Sequence, residues 1–148
     1  MKTLLKKSGG FTIMELLVVI AIIGILAAVV FVSLKPGEQR AKARNMQRTT
    51  DVNTIVNAVY QYAVDNNGAL PASITGSATE ICKTGGSCGG LIDLSVLTTN
   101  QKYLTSIPID PLVTSGNSAG YRISKNANNR VTVDAPHAEI GASITITR

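Results

Sequence analysis

Glu15 is the one carboxylate in an apolar stretch running from Phe11 to Leu34, and its surroundings pose the first chemical question in this chain. A carboxylate in hydrocarbon costs roughly 2.5–3.5 kcal/mol on insertion scales and persists there when it has a partner. No Lys or Arg lies inside the run to serve as one. A cut after Gly10 would create one, because Phe11 would then carry a free α-amino group four residues from Glu15. Between staggered helices of two copies, the amine of one would neutralise the carboxylate of the next. The second candidate chemistry is Cys82 with Cys88, with five residues between them in a glycine-rich run. Outside the cytoplasm a disulfide is the expected state, and glycines make so short a loop sterically possible. Two free thiols in a loop is the alternative. A metal site is not expected, since two Cys and one His do not complete a tetrahedral set.

The element that carries Glu15 is 24 residues long over 11–34. As a helix it would measure about 36 Å at ~1.5 Å per residue, against a bilayer core of about 30 Å. Between Leu16 and Val32 it holds no charged or strongly polar side chain. A secretory signal peptide explains the basic start, but its apolar region is shorter, about 7–15 residues. A plain membrane anchor explains the length but leaves Glu15 and Gly9-Gly10 without a purpose. The third reading is a cleavable leader on an assembly helix. Ala21, Gly24 and Ala28 lie near one face of that helix, and small residues at such spacing let helices approach closely in lipid.

The run Lys6-Lys7-Ser8-Gly9-Gly10-Phe11-Thr12-Ile13-Met14-Glu15-Leu16-Leu17-Val18-Val19-Ile20 resembles the class III signal of type IV prepilins and type II secretion pseudopilins. The resemblance implies leader cleavage between Gly10 and Phe11 by the prepilin peptidase, and N-methylation of Phe11. Methylation keeps the positive charge, so the pairing with Glu15 survives it. The resemblance also implies partners: copies of this chain, other pilin-like subunits, and an assembly platform in the inner membrane. Many family members carry a proline near position 32, where this chain has Val32; here Pro36-Gly37 follows the span and should bend or break the helix beyond it. A bare count of basic residues, three before the span against Lys35, Arg40, Lys42, Arg44 and Arg48 after it, favours the opposite orientation. The leader motif places the C-terminal part outside the cytoplasm.

Beyond Pro36-Gly37, Met46, Thr49, Val52, Ile55, Val56, Val59 and Ala63 recur at spacings of three and four, an amphipathic stripe. Glu38 and Lys42 form an i,i+4 pair, and Gly68 is placed to stop the helix. The basic residues from 35 to 48 read as a solvated face, with contact to acidic lipid or to a neighbouring subunit as the alternative. Nucleic acid is not expected there, because no aromatic residues interleave the charges. Without Lys2, Lys6 and Lys7 the chain carries 11 basic and 9 acidic residues, so its basic pI is mostly a property of the leader.

Residues 69–90 read as irregular, Leu91, Leu94 and Leu97 as a short helix or turn, and 121–124, 130–134 and 142–147 as strands. The expected fold is α+β: a long N-terminal helix, transmembrane in one half and amphipathic in the other, packed on a small antiparallel sheet of about three strands. The expected divisions are a leader at 1–10, a transmembrane and assembly helix at 11–34, the amphipathic half at 35–68, and a loop and sheet domain at 69–148. The resemblance continues through Asp65-Asn66-Asn67-Gly68-Ala69-Leu70-Pro71 and through Tyr103-Leu104, Ile107-Pro108-Ile109-Asp110-Pro111 and Tyr121, which are similar to the major pseudopilins of type II secretion. Those proteins carry an acid-rich calcium loop near the C-terminus; the tail from Ile140 to Arg148 has no acidic cluster, so no calcium or other cofactor is expected. Nucleophile elbow, zincin, phosphate-loop and dinucleotide motifs are absent, and the single histidine, His137, sits in a turn after Pro136. The sequence therefore reads as a structural filament subunit of a type IV pilus or type II secretion pseudopilus, and not as an enzyme. The alternatives are a membrane-anchored extracytoplasmic binding domain and a DNA-uptake pseudopilin.

Overall fold

The computed structural model describes residues 9–148; the expectations placed on the leader residues Lys2, Lys6, Lys7 and Ser8 lie outside them. The chain forms two compact units, one ending at Gln39 and one running from Arg40 to Arg148.

In the first unit α1 spans Ile13–Ser33. Thr12 caps it: its side chain accepts the Glu15 N–H at 3.2 Å, and Glu15 Oε2 accepts the Thr12 N–H at 2.8 Å. This reciprocal capping box satisfies two of the donors that a helix N-terminus leaves open. The helix stops just short of Pro36. Continued further, that proline would have no N–H to bond back along the helix and its ring would collide with a carbonyl one turn earlier. The backbone turns at Lys35, which takes φ +42°. Pro36 then opens α2 (Pro36–Asp65) at the first helical position, where its missing N–H costs nothing. The break expected at Pro36 thus falls at Lys35. Glu38 takes Lys35 at 3.2 Å as its ion-pair partner in place of the expected Lys42.

In the second unit the rest of α2 buries Val52, Ile55, Val56, Val59 and Ala63, the expected stripe. Met46 and Thr49, placed on that stripe by spacing, are exposed. Arg48 and Ala41 continue the buried face instead. The helix ends at Asn67 and Gly68, both with positive φ, and Gly68 N–H closes on Ala63 O at 2.8 Å. Gly68 takes this left-handed geometry without a Cβ penalty, as expected.

The sheet has four antiparallel strands in the order β1 (Thr79–Cys82), β2 (Ser118–Lys125), β3 (Val131–Asp134) and β4 (Thr145–Thr147). It has one strand more than the sequence pattern indicated, because β1 lies in the stretch read as irregular. Ile123 pairs with Val133 and Val133 with Ile146, so apolar residues line one face. On the other face Glu80, Arg122 and Asp134 sit opposite one another, and Arg122 Nη2 bonds Asp134 at 2.7 Å. A short helix, α3 (Ser95–Thr98), contributes the buried Leu97 beside the buried Leu94. Ile81, Tyr121, Ile123, Val131 and Val133 join the α2 stripe in one core. Each such side chain contributes roughly 1.5–3 kcal/mol by burial.

Candidate assembly site

The expected site residues Gly10, Phe11, Glu15, Ala21, Gly24 and Ala28 all belong to the N-terminal unit. Phe11 is 87% exposed, and no side chain of α1 is buried within the chain. Apart from Glu15 and its C-terminal Ser33, α1 consists of apolar residues and glycine. A helix that is apolar all round requires lipid or other helices on every side. At 21 residues it is long enough to cross a membrane. A Cβ placed on Gly24 would meet nothing within 4 Å, so this part of the helix is open to a neighbouring helix. Gly10 likewise has open space around it among the described residues, none of which requires glycine there.

Glu15 has an intrachain partner that sequence reasoning did not name. Its Oε2 accepts from both the N–H and the hydroxyl of Thr12, each at 2.8 Å. Among the described residues Oε1 has no partner. The carboxylate is therefore half satisfied by its own helix end and keeps one oxygen for a cation from outside.

The disulfide between Cys82 and Cys88 is formed, with the Cα atoms 5.4 Å apart. The loop it closes is tied to the rest of the domain: Thr84 Oγ1 accepts the Ile107 N–H at 2.8 Å, and Lys83 N–H bonds Asn117 O at 2.8 Å. It thereby fixes the proline-containing segment that leads into β2.

A second cluster was not legible as a site. Arg48 and Asp110 are fully buried and paired two-point, Nε to Oδ2 at 2.6 Å and Nη2 to Oδ1 at 3.1 Å. Arg48 Nη1 reaches Glu139 at 2.8 Å and Asn45 at 2.9 Å, and Arg44 adds two bonds to Glu139 at 2.7 and 2.6 Å. These bonds join α2, the segment before β2 and the β3–β4 loop. Burial works to raise the Asp110 carboxyl, but the Arg48 bonds and the Leu112 N–H outweigh it and hold it low. Hydrogen bonds from Arg44 and Arg48 bring Glu139 down to about 2. Two of the basic residues read as a solvated face, Arg44 and Arg48, are thus consumed inside the domain. Two carboxylates far apart in the sequence, Asp110 and Glu139, converge on one guanidinium. The available signal was the phase of Arg48, which falls with Val52, Ile55 and Val59 on the buried stripe. His137 is exposed, as its turn position implied.

The family model for the prokaryotic N-terminal methylation motif matches residues 5–31. Over 129 residues the chain is 32% identical to the type IV wide pilus major component PilA4 of Thermus thermophilus, covering 70% of this chain and 97% of that protein. Over 105 residues it is 30% identical to type II secretion system core protein G of Escherichia coli, covering 71% of this chain and 67% of that protein. A 62-residue match at 37% identity to core protein G of Aeromonas hydrophila covers 42% of each. No solved structure matches this chain. A capped apolar helix carrying one carboxylate and overlapping a methylation motif, followed by an amphipathic helix on a four-stranded antiparallel sheet, together with these relatives places this chain in the type IV pilin and type II secretion pseudopilin family, as a structural subunit of a pilus or pseudopilus.

Proposed function

We propose that the chain is held in the bacterial inner membrane by α1, with the domain from Arg40 onward outside the cytoplasm, and passes from there into a periplasmic or cell-surface filament. In this reading the prepilin peptidase cuts between Gly10 and Phe11, Phe11 is N-methylated, and an inner-membrane assembly platform adds the subunit to copies of itself and to similar subunits. The filament supports adhesion and motility or protein secretion. The chain acts by packing, without catalysis and without a resident metal or cofactor.

The observation that carries the reading is Glu15. One carboxylate oxygen is engaged by Thr12, and the other has no partner among the described residues. The cation that fits it is the α-ammonium of Phe11 on a neighbouring copy. Packing through Ala21, Gly24 and Ala28 would bring the helices close enough for that pairing. A DNA-binding role for the basic stretch is weakened, because Arg44 and Arg48 are engaged within the domain.

Two measurements test it. The mass of the N-terminal peptide from envelope protein should correspond to a methylated Phe11 at position one; a peptide beginning at Met1 would return the chain to a plain anchor. Glu15→Ala should be inserted and cut but assemble at least tenfold less well, and normal filament yield would remove the pairing.

A further inference from the structure

We propose that Arg40 and Lys42 bind the phosphates of anionic phospholipid headgroups where the chain leaves the membrane, so that the embedded subunit gathers acidic lipid around the start of α2. This rests on the membrane reading of α1 above. The segment just past the span is where the excess charge lies. From Lys35 to Ala43 three basic residues, Lys35, Arg40 and Lys42, stand against Glu38 alone, a net +2 in nine residues. From Arg44 to Arg148 eight basic residues stand against seven acids, a net +1 over 105 residues.

Four other cations of the domain, Arg44, Arg48, Lys102 and Arg122, are engaged in ion pairs, and Lys35 takes Glu38. Arg40 and Lys42 are both exposed, with neither an ion pair nor a side-chain hydrogen bond among the described residues. The described chain does not cover this stretch: residues 36–40 are all exposed, and Ala41 is the first residue of α2 to be buried. Nor do the two charges set the orientation. A span places its basic flank in the cytoplasm, and in the topology proposed above Arg40 and Lys42 lie on the other side, opposing Lys2, Lys6 and Lys7.

Geometry identifies the occupant. Arg40 and Lys42 follow Pro36, the first residue of α2, by four and six positions, about 6 and 9 Å along a helix rising ~1.5 Å per residue. The polar layer outside the hydrocarbon core is roughly 5–8 Å deep on each side of a bilayer. Long basic side chains lay their stems along apolar surface and carry the charge to the polar layer. Both charges therefore reach the level of the phosphates. They are two residues apart on the helix, so they leave it about 200° apart around its axis. A protein or nucleic acid docking on one face would meet one of them, whereas lipid surrounds the helix where it emerges and meets both. Phosphate suits both: the Arg40 guanidinium offers a two-point fork to its oxygens, and Lys42 a compact charge. Such contacts favour acidic over zwitterionic headgroups and are screened by salt. Extraction of the subunit into a filament would have to break them along with the lipid contacts of α1.

The test places the full chain in phosphatidylcholine bilayers holding a trace of spin-labelled phosphatidylglycerol or spin-labelled phosphatidylcholine. The motionally restricted fraction of each label reports the lipid touching the protein. Phosphatidylglycerol should be preferred by about threefold or more in ~10 mM salt, and the preference should vanish in ~1 M salt. Arg40→Gln with Lys42→Gln should lower the preference at least twofold. Lys125→Gln with Arg130→Gln removes two cations, also without ion pairs among the described residues, from the turn between β2 and β3, and should leave it unchanged. Both variants should melt with the parent, since none of the four side chains is in an ion pair. A preference that survives Arg40→Gln with Lys42→Gln, or that falls equally in the β2–β3 variant, would overturn the lipid site while leaving α1 as the anchor. No restricted fraction for either label would mean that α1 is not embedded, and the membrane reading would fall together with this one.

Discussion

Arg48 and Asp110, 62 residues apart in sequence, form a two-point ion pair from which solvent is wholly excluded. Taking both charges out of water costs several kcal/mol per ion, and their attraction offsets it only with full hydrogen bonding. Here the bonding is complete: among the described residues no buried side-chain polar atom lacks a partner. The pair fixes which loops lie against α2, and so positions the segment before β2 and the β3–β4 loop together.

Arg48→Met should destabilise the domain by about 3–5 kcal/mol, because it leaves Asp110 buried without its cation. Adding Asp110→Leu should recover most of that loss, since both charges are then gone. Thermal melts of the full chain in detergent give both values. A double variant as unstable as the single one would mean that shape at Arg48, not charge, holds the loops.

The same cluster sets an acid limit. Glu139 is lowered from 4.5 to about 2, and Asp110 is also lowered. A depressed carboxylate stabilises the fold above its unfolded value and loses that contribution as pH falls through the folded one. The contribution of the cluster to stability should therefore be level above about pH 4.5 and decline between 4.5 and 2. Glu139→Gln should flatten that decline, which chemical denaturation at a series of pH values would show.

Much of this fold was legible in the chain. The apolar run from Phe11, the stripe from Val52 to Ala63 and the stop at Gly68 are local patterns with one physical solution each. β1 was not, because Thr79–Cys82 is four residues long, lies among Ser, Thr and Gly, and carries no clean alternation. Its place depends on pairing with β2, which begins 36 residues after Cys82, and on a bridge to Ile92 across the cysteine loop. Arg48 was missed for a related reason: a charge on a helix is read as solvated unless its counter-charges are known, and these lie 62 and 91 residues away. Asp110, set between prolines in an apolar segment, was the visible hint. Thr12 as the intrachain partner of Glu15 was not readable from the sequence, because it required the cap geometry.

Cys82→Ser with Cys88→Ser should cost about 2 kcal/mol, the chain-entropy value for so short a loop. The loss should be local as well as global. Thr84 holds the Ile107 N–H and Lys83 holds Asn117 O, so amide exchange at Ile107 and Lys83 should accelerate more than at Val56 or Val133 in the core. Equal acceleration at all four would show that the bridge acts through the unfolded chain alone.

Gly120 is the final point at which the cluster can be probed without touching a charge. Its φ is +81°, and a Cβ there would lie 2.7 Å from Val113 Cγ2 and 2.8 Å from Asp110 Cβ. The strand must pass this close because Asp110 N–H bonds Ala119 O at 2.9 Å while its carboxylate faces Arg48. Gly120→Ala combines an unfavourable backbone conformation with overpacking, and should destabilise by about 2 kcal/mol. Because the added methyl pushes on Asp110, the effect should shrink in an Arg48→Met background, where the carboxylate is no longer held. A double-mutant cycle by thermal melting measures that coupling. Strict additivity would mean that Gly120 serves the β2 backbone alone and has no part in seating Asp110.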